Sequence, residues 1–114
     1  MSKITTHILD LSRGQPATGV VVTLEGQTGE SGWLVVGRGV TDADGRLKTL
    51  MGADDALAEG VYRLTFETEG YFAAQHVETF YPQAVVVFRV RDAAGHYHVP
   101  LLVSPFGYST YRGS

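Results

Sequence analysis

Residues 84–103 read AVVVFRVRDAAGHYHVPLLV, and the alternation of their side chains decides what the chain can fold into. Successive side chains of an extended strand point to opposite faces. From Ala84 to Arg91 this period puts Val86, Phe88 and Val90 on one face and Val85, Val87, Arg89 and Arg91 on the other. From His96 to Val103 it groups Tyr97, Val99, Leu101 and Val103, leaving His96, His98, Pro100 and Leu102 opposite. The wholly apolar faces are core. The face that mixes valine with arginine suits a partner surface or a guarded sheet edge. Two histidines therefore project side by side away from the core.

The same pattern extends outward along the chain. Fourteen glycines punctuate short runs rich in Val, Thr, Tyr and Phe, a rhythm that predicts an antiparallel sandwich or barrel. Strands are expected at Ile4 to Leu11, Gly19 to Leu24, Trp33 to Val40, Arg46 to Leu50, Val61 to Glu67, Ala84 to Arg91, His96 to Val103 and Tyr108 to Arg112. The segment SRGQPA joins the first two of these, while TDADGR and RDAAGH each close a hairpin, with glycine present where φ must be positive. The pattern weakens in ETEGYFAAQH, which can hold a short helix, and ADDALAEG reads as a polar loop with a partly helical turn. A chain of 114 residues is expected to form one domain, residues 1–114. A domain of this size leaves a small cleft in need of a second subunit.

Composition removes several function classes. A formal net charge of −3 with 18% charged residues offers no basic footprint, so no nucleic-acid partner is expected. The absence of cysteine excludes disulfides, thiolate catalysis and cysteine-based metal sites. No stretch approaches the ~20 apolar residues of a membrane span, so no membrane partner is expected. The start Met-Ser-Lys-Ile-Thr-Thr-His lacks a signal-peptide core, and without asparagine there is no N-glycosylation acceptor; the expected location is cytoplasmic.

Three histidines lead the candidates for chemistry. His96 and His98 project from one face of a strand, and neutral imidazole near pH 7 can take a proton from water or ligate a metal. His7 shares its face with Leu9 and Leu11 and points either into the core or into an interface. Histidines at i and i+2 resemble a zinc ligand pair, yet Val99, Pro100 and Leu101 offer no carboxylate to orient them, and no metal or other cofactor is expected. The stretch Asp42 to Arg46, DADGR, begins like a calcium loop, but Gly52 and Ala53 stand where an acidic ligand is required, so it is a turn with Gly45 at positive φ. Arg46 follows that turn with a rigid fork of donors fit for an oxyanion or carbonyl. Ser31 lacks the strand-turn-helix setting of an acyl-enzyme nucleophile. The ending STYRGS adds a phenol and a guanidinium.

Read as a whole, HVPLLVSPFGYSTYRGS, His98 to Ser114, closely resembles the C-terminal signature of the transthyretin-like family of 5-hydroxyisourate hydrolases. THILDLSRGQPATGV, Thr6 to Val20, looks like the family's other signature. TDADGR, GVYRLTFET and FYPQAVVVFRVRD fall between them in the expected order, so the resemblance covers essentially the whole chain.

The resemblance implies an all-β, transthyretin-like two-sheet sandwich of about eight antiparallel strands with one short helix, near Glu69 to Gln75. It implies a homotetramer, a dimer of dimers around a central channel, with the valine and arginine face near a subunit contact. The implied reaction is opening of 5-hydroxyisourate to 2-oxo-4-hydroxy-4-carboxy-5-ureidoimidazoline in urate degradation. The family's motif carries its catalytic groups to His7, Arg46 and His98, and its substrate-binding tail to Tyr111, Arg112, Gly113 and Ser114. Either histidine would take the proton from water while the other orients it, with Arg46 on the carbonyl oxygen. The alternative is a transthyretin-like carrier of a small, thyroid-hormone-type ligand without catalysis. In the carrier the tail differs and the first histidine is replaced, so the ending favours the enzyme.

Overall fold

The computed structural model describes residues 3–52 and 54–114. Among them run nine strands and one helix: β1 (Ile4–Asp10), β2 (Gln15–Pro16), β3 (Val21–Thr28), β4 (Gly32–Val40), β5 (Arg46–Leu47), β6 (Gly60–Phe66), α1 (Thr68–Ala73), β7 (Ala84–Val90), β8 (Tyr97–Ser104) and β9 (Gly107–Thr110). They form two sheets. One has the order β2-β1-β8-β9, with β5 also paired to β1; the other has the order β4-β3-β6-β7. Among the described residues no helix is long and apolar enough to cross a membrane.

The period-two pattern is what builds the core. Ala84, Val86 and Val90 of β7 are buried while Val85 and Val87 are exposed, and Tyr97, Val99, Leu101 and Val103 of β8 are buried beneath the same interior. Ile4 and Ile8 of β1 join them from one sheet, and Leu24, Leu64 and Phe66 from the other. Each such valine, leucine, isoleucine or phenylalanine contributes roughly 1.5–3 kcal/mol by leaving water. The opposite face of β1 and β8 is thereby left free for polar groups.

The expected sandwich is present, with differences that matter. β1 and β8 pair in parallel, from Ile4↔Tyr97 to Asp10↔Val103, so the strands are not all antiparallel. TDADGR is a tight turn with Gly45 at φ 73, but its arms, β4 and β5, belong to different sheets rather than to one hairpin. RDAAGH likewise carries the chain from β7 in one sheet to β8 in the other, and Gly95 is not among the glycines at positive φ. SRGQPA folds β2 back onto β1 before the chain crosses over. The alternation read from sequence reports which face of a strand is apolar, and it is the same for a hairpin and for a sheet-to-sheet crossover.

The fourth expected strand stops at Leu47 because Leu50 and Met51 turn into the core. Gly37 of β4 makes room there, since a Cβ on it would lie 1.5 Å from the Leu50 carbonyl oxygen. Ala53, which opens the loop expected over residues 53–60, lies outside the described residues, as do Met1 and Ser2. The Asp55 amide donates to the Gly52 carbonyl at 3.1 Å, a single turn, and no helix forms over residues 54–59. The weak segment does hold the helix: α1 buries Phe72, and its Tyr71 hydroxyl donates to Asp10 Oδ2 at 2.7 Å. Asp10 Oδ1 accepts from the Ser12 amide at 2.9 Å, so this buried carboxylate ties the helix to the end of β1. Burial, then the hydrogen bond to Asp10, raises the Tyr71 phenol above its ordinary pKa.

Gly45 is the point where turn geometry is least negotiable. At φ 73 a Cβ would sit 2.4 Å from the Ile8 carbonyl oxygen, which itself accepts from Ala17. Gly45→Ala is expected to cost at least about 1–2 kcal/mol, read as a lower midpoint in urea unfolding with an unchanged slope.

Candidate active site

Register explains which side chains meet on the outer face of the β1 sheet. In a ladder, paired residues share a face. β1 pairs Thr5 with His98 and His7 with Pro100 on its β8 side, and His7 with Arg46 on its β5 side. Thr5, His7, Arg46 and His98 therefore project together, on the side of the sheet away from the core. The three groups that the sequence singled out come from strands at the start, middle and end of the chain, and β1 gathers them.

Each imidazole has one nitrogen already engaged. His7 Nε2 lies 2.9 Å from the Asp44 carbonyl oxygen; a carbonyl only accepts, so Nε2 carries the proton and Nδ1 is the nitrogen left over. The Asp44 carbonyl is itself held by the turn, in which Asp42 Oδ1 accepts from the Asp44 amide at 2.9 Å and the Arg46 amide at 3.0 Å. These backbone donors, the Arg46 amide foremost, hold the Asp42 carboxyl below its usual pKa. One carboxylate thus fixes the carbonyl that orients His7 and the backbone of Arg46. On the other side, Thr5 Oγ1 lies 2.8 Å from His98 Nδ1, which leaves Nε2 available to a ligand.

The tail closes over His98. The Gly113 amide donates to the His98 carbonyl at 2.8 Å, and Thr110 Oγ1 donates to the Pro100 carbonyl at 2.7 Å. A Cβ on Gly113 would come 2.6 Å from His98 Cδ2 and 3.3 Å from Pro100 Cγ, so glycine lets the tail lie directly on the imidazole. Beyond it, Ser114 borders a cavity of about 180 Å³ together with Thr5, Arg46, Lys48, His96 and His98. Tyr111 and Arg112 border a separate, more apolar hollow behind His98, where the Arg112 guanidinium stacks 4.7 Å from the Tyr97 ring centre. Of the four tail residues, then, Ser114 is the one that reaches the polar cavity.

The cavity is cationic. Among the described residues the ion pair is Arg63 with Glu25, both from the other sheet; Arg46 and Lys48 form no such contact, although both charges act on the Asp42 carboxyl. Burial, then the charges of Arg46, His7 and His96, lowers the His98 pKa below its ordinary 6.5, against an opposing interaction with the Thr5 backbone. His98 is therefore neutral at pH 7 and able to accept a proton. Among the described residues no group of three or more His, Asp or Glu is gathered as a metal site. A neutral imidazole beside a guanidinium and an ammonium can deprotonate water and hold a developing oxyanion. Thr5 and Lys48 were not foreseen, although the same alternation would have found them: Thr5 lies two residues before His7, and Lys48 two after Arg46.

Comparison with known proteins converges on one group. The profile described as the HIUase/Transthyretin family matches residues 4–113. A 5-hydroxyisourate hydrolase from Salmonella dublin is 48% identical over 97% of this chain and 80% of its own length. Among solved structures, 5-hydroxyisourate hydrolase from Klebsiella pneumoniae superposes with a TM-score of 0.83 at 42% identity, covering 97% of this chain and 98% of the other. Transthyretin from Sparus aurata superposes with a TM-score of 0.90 at 35% identity, covering 99% and 97%.

Two outcomes follow from the packing around His98. Gly113→Ala is expected to lift the tail and change the His98 ring resonances while lowering the free energy of unfolding by no more than about 1 kcal/mol, the typical size of a single substitution. In NMR titration the His98 ring should turn over below pH 6.5. The sign for stability is set by that shift. As pH falls through 6.5 the unfolded chain takes up the proton first, so this group lowers stability from there until the folded-state pKa is passed.

Proposed function

The chain belongs to the HIUase/transthyretin family, and on that footing we propose that it hydrolyses 5-hydroxyisourate with His98 as the base. It is an enzyme of urate degradation, and its 114 residues act as one hydrolase domain. The observation that carries this reading is the gathering of His7, Arg46 and His98 on one sheet face, where Arg46, His98 and Ser114 also border one cavity and His7 stands beside it.

Opening a cyclic amide needs a nucleophilic water and a place for charge on the carbonyl oxygen. Neutral His98 accepts a proton from water at Nε2. His7, its Nε2–H held by Asp44, offers Nδ1 to orient that water. Arg46 polarises the carbonyl and stabilises the oxyanion, and Lys48 adds a second positive charge as the product carboxylate forms. Ser114 hydrogen-bonds the edge of the flat substrate. Gly113 permits the close approach of the tail, and Tyr111 and Arg112 anchor it from behind through the contact with Tyr97. The chain needs no metal or other cofactor for these steps, and the reaction takes place in the cytoplasm.

The functional assembly is a homotetramer, a dimer of dimers. Support comes from large apolar side chains left in water, among them Leu11, Phe80 and Phe106, and from the valine face of β7. A carrier role fits the sandwich equally well by shape, since transthyretin superposes closely. Two cations and a neutral histidine around one polar cavity favour hydrolysis.

The decisive measurement follows 5-hydroxyisourate, freshly made from urate, by ultraviolet absorbance. The protein should accelerate its loss beyond the spontaneous rate and give one enantiomer of product, with chelator making no difference; a rate equal to the spontaneous one overturns the reading. His98→Asn should lower kcat by about 100- to 10,000-fold without changing the assembly. The acid limb of kcat/KM should fall below pH 6.5, since protonating His98 removes the base.

A further inference from the structure

Thr5 is 4% exposed, and its one hydroxyl stands between two imidazoles, 2.8 Å from His98 Nδ1 and 3.4 Å from His96 Nε2. A hydroxyl has a single proton to donate, so it can donate to one ring and must accept from the other. The two arrangements give His98 opposite chemistry. If Thr5 donates to His98 Nδ1, a neutral His98 carries its proton on Nε2, and a ligand meets an N–H that cannot take a proton. If Thr5 donates to His96, then His98 Nδ1–H donates to Thr5, and Nε2 presents a lone pair.

The 2.8 Å separation fits a hydrogen bond in either direction, and the charges around the cavity favour the second arrangement. The cavity beside His98 is lined by two cations, Arg46 and Lys48, and by no carboxylate side chain. A lone pair pointing among positive charges is favourable, and an N–H dipole there is not. His96, exposed at the mouth of the cavity, can keep its own proton on Nδ1 in contact with water while Nε2 accepts from Thr5.

We propose that Thr5, anchored by His96, is the positioning residue that fixes His98 as its Nδ1–H tautomer and so leaves Nε2 as the base. Its catalytic consequence rests on the hydrolase reading above; the tautomer itself does not. In turnover the water oxygen bonds to the carbonyl carbon while one water proton passes to His98 Nε2. The ring C–N bond then breaks as that proton moves on to the released nitrogen. The second water proton is lost when the new carboxyl ionises. Nδ1–H stays on Thr5 throughout, so each cycle ends with His98 ready to accept again. The counterpart is already built into His7, where a backbone carbonyl fixes the opposite tautomer. The two histidines thus present different ring nitrogens.

The test is the 15N spectrum of histidine-labelled protein at mildly alkaline pH, together with kinetics of three variants. The wild-type His98 proton should reside on Nδ1. Thr5→Val, close to Thr5 in shape but with no hydroxyl, should shift it to Nε2 and lower kcat about 10- to 100-fold with little change in KM, the scale seen when an orienting partner of a histidine is removed. Thr5→Ser should restore both the tautomer and most of kcat, and His96→Ala should move the tautomer in the same direction as Thr5→Val. A wild-type His98 protonated on Nε2, or Thr5→Val with undiminished kcat, overturns the proposal. Should Thr5→Val fail to fold, the wild-type spectrum alone decides. An inactive protein with the Nδ1–H signature defeats the hydrolase reading and leaves the tautomer standing; an active one with Nε2–H does the reverse.

Discussion

Seven residues of β1 run parallel to β8, and the polar cluster hangs on that ladder. It sets Thr5 opposite His98, and because β1 is also the strand that receives β5, it sets His7 next to Arg46. A slip of one residue in either register would turn His98 or Arg46 to the interior and push apolar side chains into water. The buried sets on both strands, Ile4 and Ile8 against Tyr97, Val99 and Leu101, oppose any such slip. The hydrophobic core thus acts at a distance, as the device that holds these polar groups in alignment on the opposite face.

The turn between the sheets supplies the second level of precision. Asp42 gathers two backbone amides, Gly45 takes the one conformation that fits beneath Ile8, and the Asp44 carbonyl is left to meet His7. The segment therefore works as a rigid bracket between β4 and β5. Its resemblance to the start of a calcium loop is accounted for in this way, since the carboxylate is already occupied by amides of its own chain.

Much of this architecture was legible in the sequence, and the limits of that reading are physical. Alternation identified the apolar faces of β7 and β8 correctly, because burial acts on each strand locally. It also put His98 on the polar face. It was silent on partners: nothing in the sequence distinguishes a hairpin from a crossover, so RDAAGH and TDADGR read as hairpins though each joins two sheets. The parallel pairing of β1 with β8 was invisible for the same reason, and with it the contact of Thr5 with His98. The tail was placed near the cavity by resemblance alone. Its geometry divides it, with Ser114 at the polar cavity and Arg112 stacked on Tyr97 behind it.

Thr5 and His98 touch across 93 positions of chain. Contacts of such long range are closed late, since the loop entropy is lost before the contact rewards it. During synthesis the amino-terminal strand leaves the ribosome long before its neighbour exists, and it must wait with one edge unsatisfied. Competence for chemistry is accordingly an all-or-none property of the finished polypeptide. No nascent or clipped fragment lacking β8 can carry a partial version of it.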